Sequence, residues 1–208
     1  MTRRMKWVLA ILAAFLAFDG VALVVVLTMR HGQVAITGKV VQDGTAAIGG
    51  PFALAATNGK TVTDQTFRGK WQMLYFGYTY CPDACPTALS NIGSALQKLG
   101  LEADQIQPLF VSVDPKRDTR EVMSAYLESF DPRIIGLTGT PAQIEAIAKA
   151  YRVFFKIHEG EGANYLVDHS AYFYLMDPAG KFVDVIEGAT PGDQMADKLR
   201  VLIAAHSA

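Results

Sequence analysis

The sequence predicts an α/β fold in which a central mixed sheet is flanked by helices, with one transmembrane helix in front of it. Two observations predict this arrangement. Short apolar runs of strand length alternate along the chain with amphipathic segments that carry helix start and stop signals. A separate apolar run of about 23 residues near the N-terminus is long enough to cross a bilayer.

The N-terminal apolar run extends from Trp7 to Met29. The apolar region of a cleaved signal peptide would span only about 7–15 residues, so the length favours an uncleaved anchor. Asp19 is the one ionisable residue in this run, and we expect it to be neutral or satisfied by a partner helix. Residues 7–29 are therefore predicted to form a single transmembrane anchor.

Three basic residues in the segment 1–6 fix the predicted orientation of the anchor; they are Arg3, Arg4 and Lys6. By the positive-inside rule this segment stays in the cytoplasm and the rest of the chain emerges on the far side. The segment lacks the Arg- and Ser-rich character of an organelle transit peptide. We therefore expect a single-pass protein of a bacterial inner membrane with its C-terminal domain in the periplasm.

Residues 30–50 are glycine-rich and predict a linker, and residues 51–208 predict one folded domain. The domain opens with a predicted hairpin in which Phe52–Leu54 is followed by Asn58–Val62, and the Asn-Gly pair at the start of the second range forms the turn. The apolar run Trp71–Phe76 predicts a buried strand that ends at Gly77.

Four amphipathic helices are then predicted, with starts near residues 86, 118, 140 and 190. We expect Asp118 to cap the second, with Glu121 returning the bond, and Thr140 and Gln143 to form a capping box at the third. Apolar runs at 109–113, 134–137, 171–176 and 182–186 predict strands. The last two strands flank a type I turn sequence, and a closing antiparallel hairpin followed by a helix is the thioredoxin arrangement.

The formal net charge of the 208-residue chain is −1, and no stripe of basic residues is present in it. Binding to nucleic acid requires such a stripe, so this class of partner is not expected.

The two cysteines of the chain, Cys81 and Cys85, lie where the strand ending at Phe76 meets the first helix. A helix N-terminus favours the thiolate, which is the form that binds metal or attacks a disulfide. A disulfide that closed so short a loop would stabilise the fold little. The pair therefore predicts a site that binds a soft metal or exchanges electrons.

Four histidines can supply a further ligand. His31 adjoins the predicted anchor and His206 is near the C-terminus, so we expect both to be solvated. His158 lies in a glycine-rich acidic stretch, and His169 directly precedes an apolar strand. Two thiolates with an imidazole would favour copper, because a structural zinc site normally has four protein ligands.

The chain resembles the Sco/SenC family of membrane-anchored copper proteins that help to assemble cytochrome c oxidase. The resemblance rests on four segments, which are Tyr75–Pro86 with its Cys-Pro-Asp-Ala-Cys-Pro element, Phe110–Thr119, Gly139-Thr140-Pro141 and Asp168-His169-Ser170. It covers essentially everything from Pro51 onward, and the predicted anchor agrees with it.

The resemblance implies a thioredoxin-like fold and binding of Cu(I) and Cu(II) by Cys81, Cys85 and His169. It also implies delivery of copper to the binuclear copper site of an oxidase subunit, with another copper chaperone or a thioredoxin-like reductant as further partners. Asp114 is then either a residue that supports the ligands or simply the start of a turn.

Two other activities remain open from the sequence. A thiol–disulfide oxidoreductase would keep the cysteines of the oxidase copper site reduced, although thioredoxin-type enzymes use a spacer one residue shorter and a proline loop that faces the thiols. A peroxidase would need a threonine three residues before its reactive cysteine, where this chain has Tyr78 or Pro82. We therefore expect a copper chaperone, not an enzyme.

Overall fold

The computed structural model describes residues 48–158 and 165–206. The predicted cytoplasmic segment, the predicted anchor and nearly all of the predicted linker lie outside these ranges. Within them, no helix combines the length and the apolar character that spanning a bilayer requires.

Nine strands and four helices form the described domain. The strands are β1 (Ala53–Ala56), β2 (Thr61–Thr63), β3 (Trp71–Gly77), β4 (Ile106–Ser112), β5 (Ile135–Thr138), β6 (Phe155–Ile157), β7 (Val167–His169), β8 (Tyr172–Met176) and β9 (Phe182–Glu187). The helices are α1 (Ala84–Leu99), α2 (Arg120–Leu127), α3 (Pro141–Ala150) and α4 (Gly192–His206), and a 3-10 helix (Gly100–Gln105) follows α1.

Seven of the strands form one mixed sheet in the order β2-β1-β5-β4-β3-β8-β9. Strand β4 runs parallel to β3 and β5, whereas the other neighbours in the sheet are antiparallel. The predicted α/β fold with a central mixed sheet is therefore confirmed.

Strand β3 lies inside the sheet between β4 and β8, and all seven of its residues are buried. A continuous apolar run of this kind is typical of a strand that is covered on both faces. Because β3 and β4 are parallel, their carboxyl ends lie at the same edge of the sheet. The segments that follow them, residues 78–83 and 113–119, are thereby brought together at that edge.

The cap predicted for the second helix is wrong. Thr119 caps α2, and its side chain accepts a hydrogen bond from the Val122 amide at 3.3 Å. Asp118 is fully buried and accepts hydrogen bonds from other segments of the chain instead. The capping box of Thr140 and Gln143 at the start of α3 is confirmed.

The sequence analysis missed the two-stranded sheet formed by β6 and β7. In this antiparallel pair Phe155 lies opposite His169, and Ile157 lies opposite Val167. Strands of three residues are too short to show a periodic pattern. His169 therefore belongs to a strand of its own and does not merely precede one.

Candidate metal centre

The two cysteines lie on either side of the start of α1. Cys81 is half-buried in the turn before the helix, and Cys85 is buried in its first turn. The helix begins two residues earlier than predicted, at Ala84. The Cys85 amide donates to the Cys81 sulfur over 3.4 Å, so this sulfur accepts from one of the free N–H groups at the helix start.

His169 completes a cluster with the two cysteines. Its Nε2 atom lies 3.4 Å from the sulfur of Cys85, and its Nδ1 atom lies 3.3 Å from the Ser170 carbonyl oxygen. With its proton on Nδ1 and donated to this carbonyl, the imidazole would present the Nε2 lone pair to a metal ion, whereas with a proton on Nε2 it can donate to a sulfur. The ligand atoms of the three residues lie within 4.8 Å of one another, and in the described part of the chain no other such cluster occurs.

Two tyrosine rings flank the imidazole of His169. The ring of Tyr75 lies 6.0 Å from it at an interplanar angle of 83°, and the ring of Tyr78 lies 5.8 Å away at 90°. Both tyrosines are buried. Edge-to-face packing on two sides restricts the orientation of the imidazole.

The two thiols differ sharply in acidity. A hydrogen bond from Cys85 and another from His169 lower the pKa of Cys81 to about 3, although partial burial opposes this. The same hydrogen bond, together with burial, raises the pKa of Cys85. The metal-free pair therefore consists of a half-exposed thiolate at Cys81 and a buried thiol at Cys85.

A buried carboxylate fixes the turn that carries Cys81. Asp118 accepts from the Thr79 hydroxyl at 2.6 Å, from the Thr79 amide at 3.1 Å and from the Ser112 hydroxyl at 2.7 Å. Burial raises the pKa of Asp118, and these hydrogen bonds oppose the rise. The sequence did not reveal that Asp118 supports this turn, because its position next to the start of α2 suggested a helix N-cap.

Gly77, at the end of β3, leaves the space that the sulfur of Cys85 occupies. A Cβ atom at this residue would lie 2.6 Å from that sulfur and 2.8 Å from a ring carbon of Phe110. The sequence marked Gly77 only as the end of a strand, because close approach of a distant side chain leaves no local signal.

The other predicted candidates lie apart from the cluster. His158 is exposed and lies 2.6 Å from a carboxylate oxygen of Asp168. His206 packs edge-on against Trp71, and His31 lies outside the described residues. Asp114 is fully buried and is bound by Arg117, so it is more than the start of a turn, but it does not belong to the ligand cluster.

The donor set fits a soft metal ion. Two sulfurs and one imidazole nitrogen suit Cu(I), and a set of three leaves a coordination position for an incoming ligand. The same two sulfurs lie within 4.8 Å of each other, and they would have to move together to about 2 Å to form a disulfide. The geometry therefore supports copper binding and thiol–disulfide exchange.

Comparison with protein families gives one match that covers most of the chain. A sequence model described as SCO1/SenC matches residues 40–204. Protein SenC of Rhodobacter capsulatus is 38% identical over 192 residues, which is 92% of this chain and 87% of SenC. Protein SCO1 homolog 1, mitochondrial, of Arabidopsis thaliana is 47% identical over 141 residues, 67% of this chain and 42% of the relative.

The match to SCO1 and SCO2 proteins of eukaryotes is partial in length. The chain spans between 42% and 62% of four such relatives. Among solved structures, Bradyrhizobium japonicum ScoI with copper bound is similar, with a TM-score of 0.71 and 44% identity. That match covers 75% of this chain and 99% of the chain in the ScoI structure.

Proposed function

This chain belongs to the SCO1/SenC family, and from that premise we propose that it is a copper metallochaperone. Its copper cargo would be held by Cys81, Cys85 and His169 and delivered to the binuclear copper site of cytochrome c oxidase during assembly. The observation that carries the proposal is the convergence of these three soft ligands within 4.8 Å at one edge of the sheet. The copper-bound state of the similar ScoI supports it.

The burial of the ligands suggests how the cargo would leave. Cys81 and His169 are half-buried, whereas Cys85 is completely buried. An acceptor thiolate would first bind the open position of Cu(I), and the accessible ligands would be released before Cys85. The two thiolates favour Cu(I), and the imidazole adds the borderline donor that Cu(II) requires.

A ligand-substitution experiment tests the proposal. The full-length protein in detergent is titrated with Cu(I) under anaerobic conditions against a competing chelator, and then mixed with the metal-free copper-site subunit. We expect Cys85→Ser to abolish tight Cu(I) binding and His169→Ala to weaken copper retention. His158→Ala, directly after β6 and outside the cluster, is the matched control. Stoichiometric tight binding by Cys85→Ser would contradict the assignment.

The acidity of Cys81 favours a second candidate, a thiol–disulfide oxidoreductase that reduces the acceptor's cysteines. The Cys81 thiolate would attack the acceptor disulfide and release one acceptor thiolate. Cys85 would then lose its proton and attack Cys81, which forms the Cys81–Cys85 disulfide and frees the second acceptor thiol. A thioredoxin-like reductant would supply the electrons for the next cycle. Fast turnover without copper, with a mixed disulfide trapped by Cys85→Ser, would favour this activity.

We also propose that residues 7–29 anchor the protein in a bacterial inner membrane with the metal site in the periplasm. The apolar length of this run and the basic residues before it support the proposal. Protease added to spheroplasts should digest the domain that carries Cys81. Full protection of that domain would contradict the predicted orientation.

A further inference from the structure

The strand that carries His169 is weakly supported by backbone pairing. Strands β6 and β7 have three residues each and form a sheet separate from the seven-stranded one. Two-stranded pairs are marginally stable by themselves in water. Side-chain contacts with the rest of the domain therefore help to hold the imidazole near the two thiols of Cys81 and Cys85 (the dithiol).

Arg117, in the segment between β4 and α2, provides such contacts. Its Nε–H donates to the carboxylate of Asp114, and its Nη1 donates to the backbone carbonyl of Tyr165 at 2.8 Å. The Tyr165 hydroxyl donates to the other oxygen of Asp114 at 2.7 Å. The ion pair is buried, with the Arg117 side chain 8% exposed and that of Asp114 fully enclosed. Tyr165, two residues before β7, is thus held through its main chain and its side chain.

The guanidinium of Arg117 also joins the two segments that supply the ligands. Its central carbon lies 3.5 Å from the ring centroid of Tyr165, 4.8 Å from that of Tyr80 and 5.6 Å from that of Tyr78. Tyr78 and Tyr80 belong to the turn that carries Cys81, whereas Tyr165 leads into β7. Contacts of this kind between a cation and aromatic rings are attractive, and they are stronger where the cation is shielded from water.

Tyr78 extends this connection to the imidazole. Its hydroxyl accepts from the Val167 amide at 3.3 Å, and its ring packs edge-on against His169. Val167 and His169 are two residues apart in β7, so their side chains lie on the same face of the strand. Contacts that fix Tyr165 and Val167 therefore fix the direction in which the imidazole points.

We propose that Arg117 is a positioning residue that holds the imidazole of His169 at the dithiol and thereby sets how well the site retains Cu(II). This inference rests on the proposed copper-binding function. The two thiolates provide most of the affinity for Cu(I), so loss of the imidazole weakens Cu(I) binding less. Binding of Cu(II) depends more on nitrogen donors. The planar, forked guanidinium donates in two directions while it stacks on Tyr165, and a lysine ammonium lacks this geometry.

The test compares Arg117→Gln and Arg117→Lys in the full-length protein with Arg120→Gln. Arg120 is an exposed neighbour that pairs only with adjacent Glu121 among the described contacts, so it is the matched control. We expect both Arg117 variants to weaken Cu(II) binding by about tenfold or more, while Cu(I) binding changes by less than about threefold. The thiolate-to-Cu(II) absorption band and the electron paramagnetic resonance spectrum should shift in both variants. If Arg117→Lys behaves as the wild type, charge alone is sufficient and the positioning role is wrong.

A double-mutant cycle with His169→Ala separates positioning from a general loss of structure. If Arg117 acts through the imidazole, Arg117→Gln should have no further effect on Cu(II) binding once His169 is alanine. An undiminished effect in that background would overturn the inference. If His169→Ala itself leaves Cu(II) binding unchanged, the ligand assignment fails, which is a failure of the proposed function.

A milder variant keeps the test valid if both Arg117 variants unfold. Tyr165→Phe removes only the hydrogen bond to Asp114 and retains the ring beneath the guanidinium. We expect it to weaken Cu(II) binding in the same direction, by about twofold to fivefold, with the thermal unfolding temperature nearly unchanged. Unaltered Cu(II) affinity and an unaltered spectrum in Tyr165→Phe would count against the inference.

Discussion

Gly77→Ala should damage the metal centre although residue 77 supplies no ligand. The new methyl carbon would lie 2.6 Å from the sulfur of Cys85 and 2.8 Å from a ring carbon of Phe110. Favourable contacts between carbon atoms occur at about 3.5–4.0 Å, and sulfur is no smaller, so one of these groups must shift by about 1 Å. All three residues lie in the buried core or against it, which leaves little free space for the shift.

The expected magnitude of the Gly77→Ala effect follows from that overlap. Overpacking of a core by one methyl typically destabilises by about 1–3 kcal/mol. For a domain of this size, each kcal/mol lowers the unfolding temperature by about 2–4 °C. Ligand positions at a metal tolerate deviations of only about 0.2 Å, so a shift of about 1 Å at Cys85 should weaken Cu(I) binding by about tenfold or more.

Gly93→Ala is the matched control for Gly77→Ala. A methyl at residue 93 in α1 would lie 3.4 Å from the nearest atom, the Cβ of Asp131, which is an ordinary contact. Alanine in a helix interior is favoured over glycine by about 0.5–1 kcal/mol, so this variant should retain or gain stability. Chelator competition and thermal unfolding measure both effects. Wild-type Cu(I) affinity in Gly77→Ala would refute the claim that Gly77 shapes the site.

Three further predictions concern acidity and helix capping. In metal-free protein, Cys81 should react with iodoacetamide at about pH 5, a pH at which ordinary thiols do not react, and Cys85 should stay unmodified. Mass spectrometry measures the labelling of each cysteine, and equal labelling of the two would contradict this prediction. Burial raises the pKa of Asp118, so the folded protein binds this proton more readily than the unfolded chain does. The free energy of unfolding of the wild type, compared with that of Asp118→Asn, should therefore fall as the pH rises from the ordinary carboxyl pKa to the raised one. Urea unfolding measures this difference, and a difference that does not change with pH would refute the prediction. Thr140→Ala should lower the free energy of unfolding by about 1 kcal/mol through loss of its capping box, with copper binding unchanged.

The parts of the fold that the sequence predicted correctly carry local signals. The apolar run of β3 and the Thr140 capping box are each complete within a few consecutive residues. Cys81 and Cys85 were identifiable because both thiols lie at one strand-to-helix junction. His169 was selected from four histidines by family resemblance, since an isolated histidine before an apolar strand has no distinctive local pattern.

The parts that sequence reasoning missed depend on contacts between distant segments. Asp118 resembles a helix cap in the sequence, but the side chains of Thr79 and Ser112 reach it only after β3 and β4 pair. Arg117 gives no sign of its three tyrosine neighbours, one of which lies in a segment 48 residues further along the chain. Strands β6 and β7 are defined by pairing with each other, because three residues are too few for a periodic signal.

X-ray absorption spectroscopy of the full-length protein loaded anaerobically with one equivalent of copper tests the central claim most directly. For Cu(II) bound by Cys81, Cys85 and His169, the spectrum should show two sulfur neighbours and at least one nitrogen neighbour of imidazole type. His169→Ala should lose the imidazole contribution, and His158→Ala should leave the spectrum unchanged. An imidazole signal that persists in His169→Ala, or copper without sulfur neighbours in the wild type, would contradict the account.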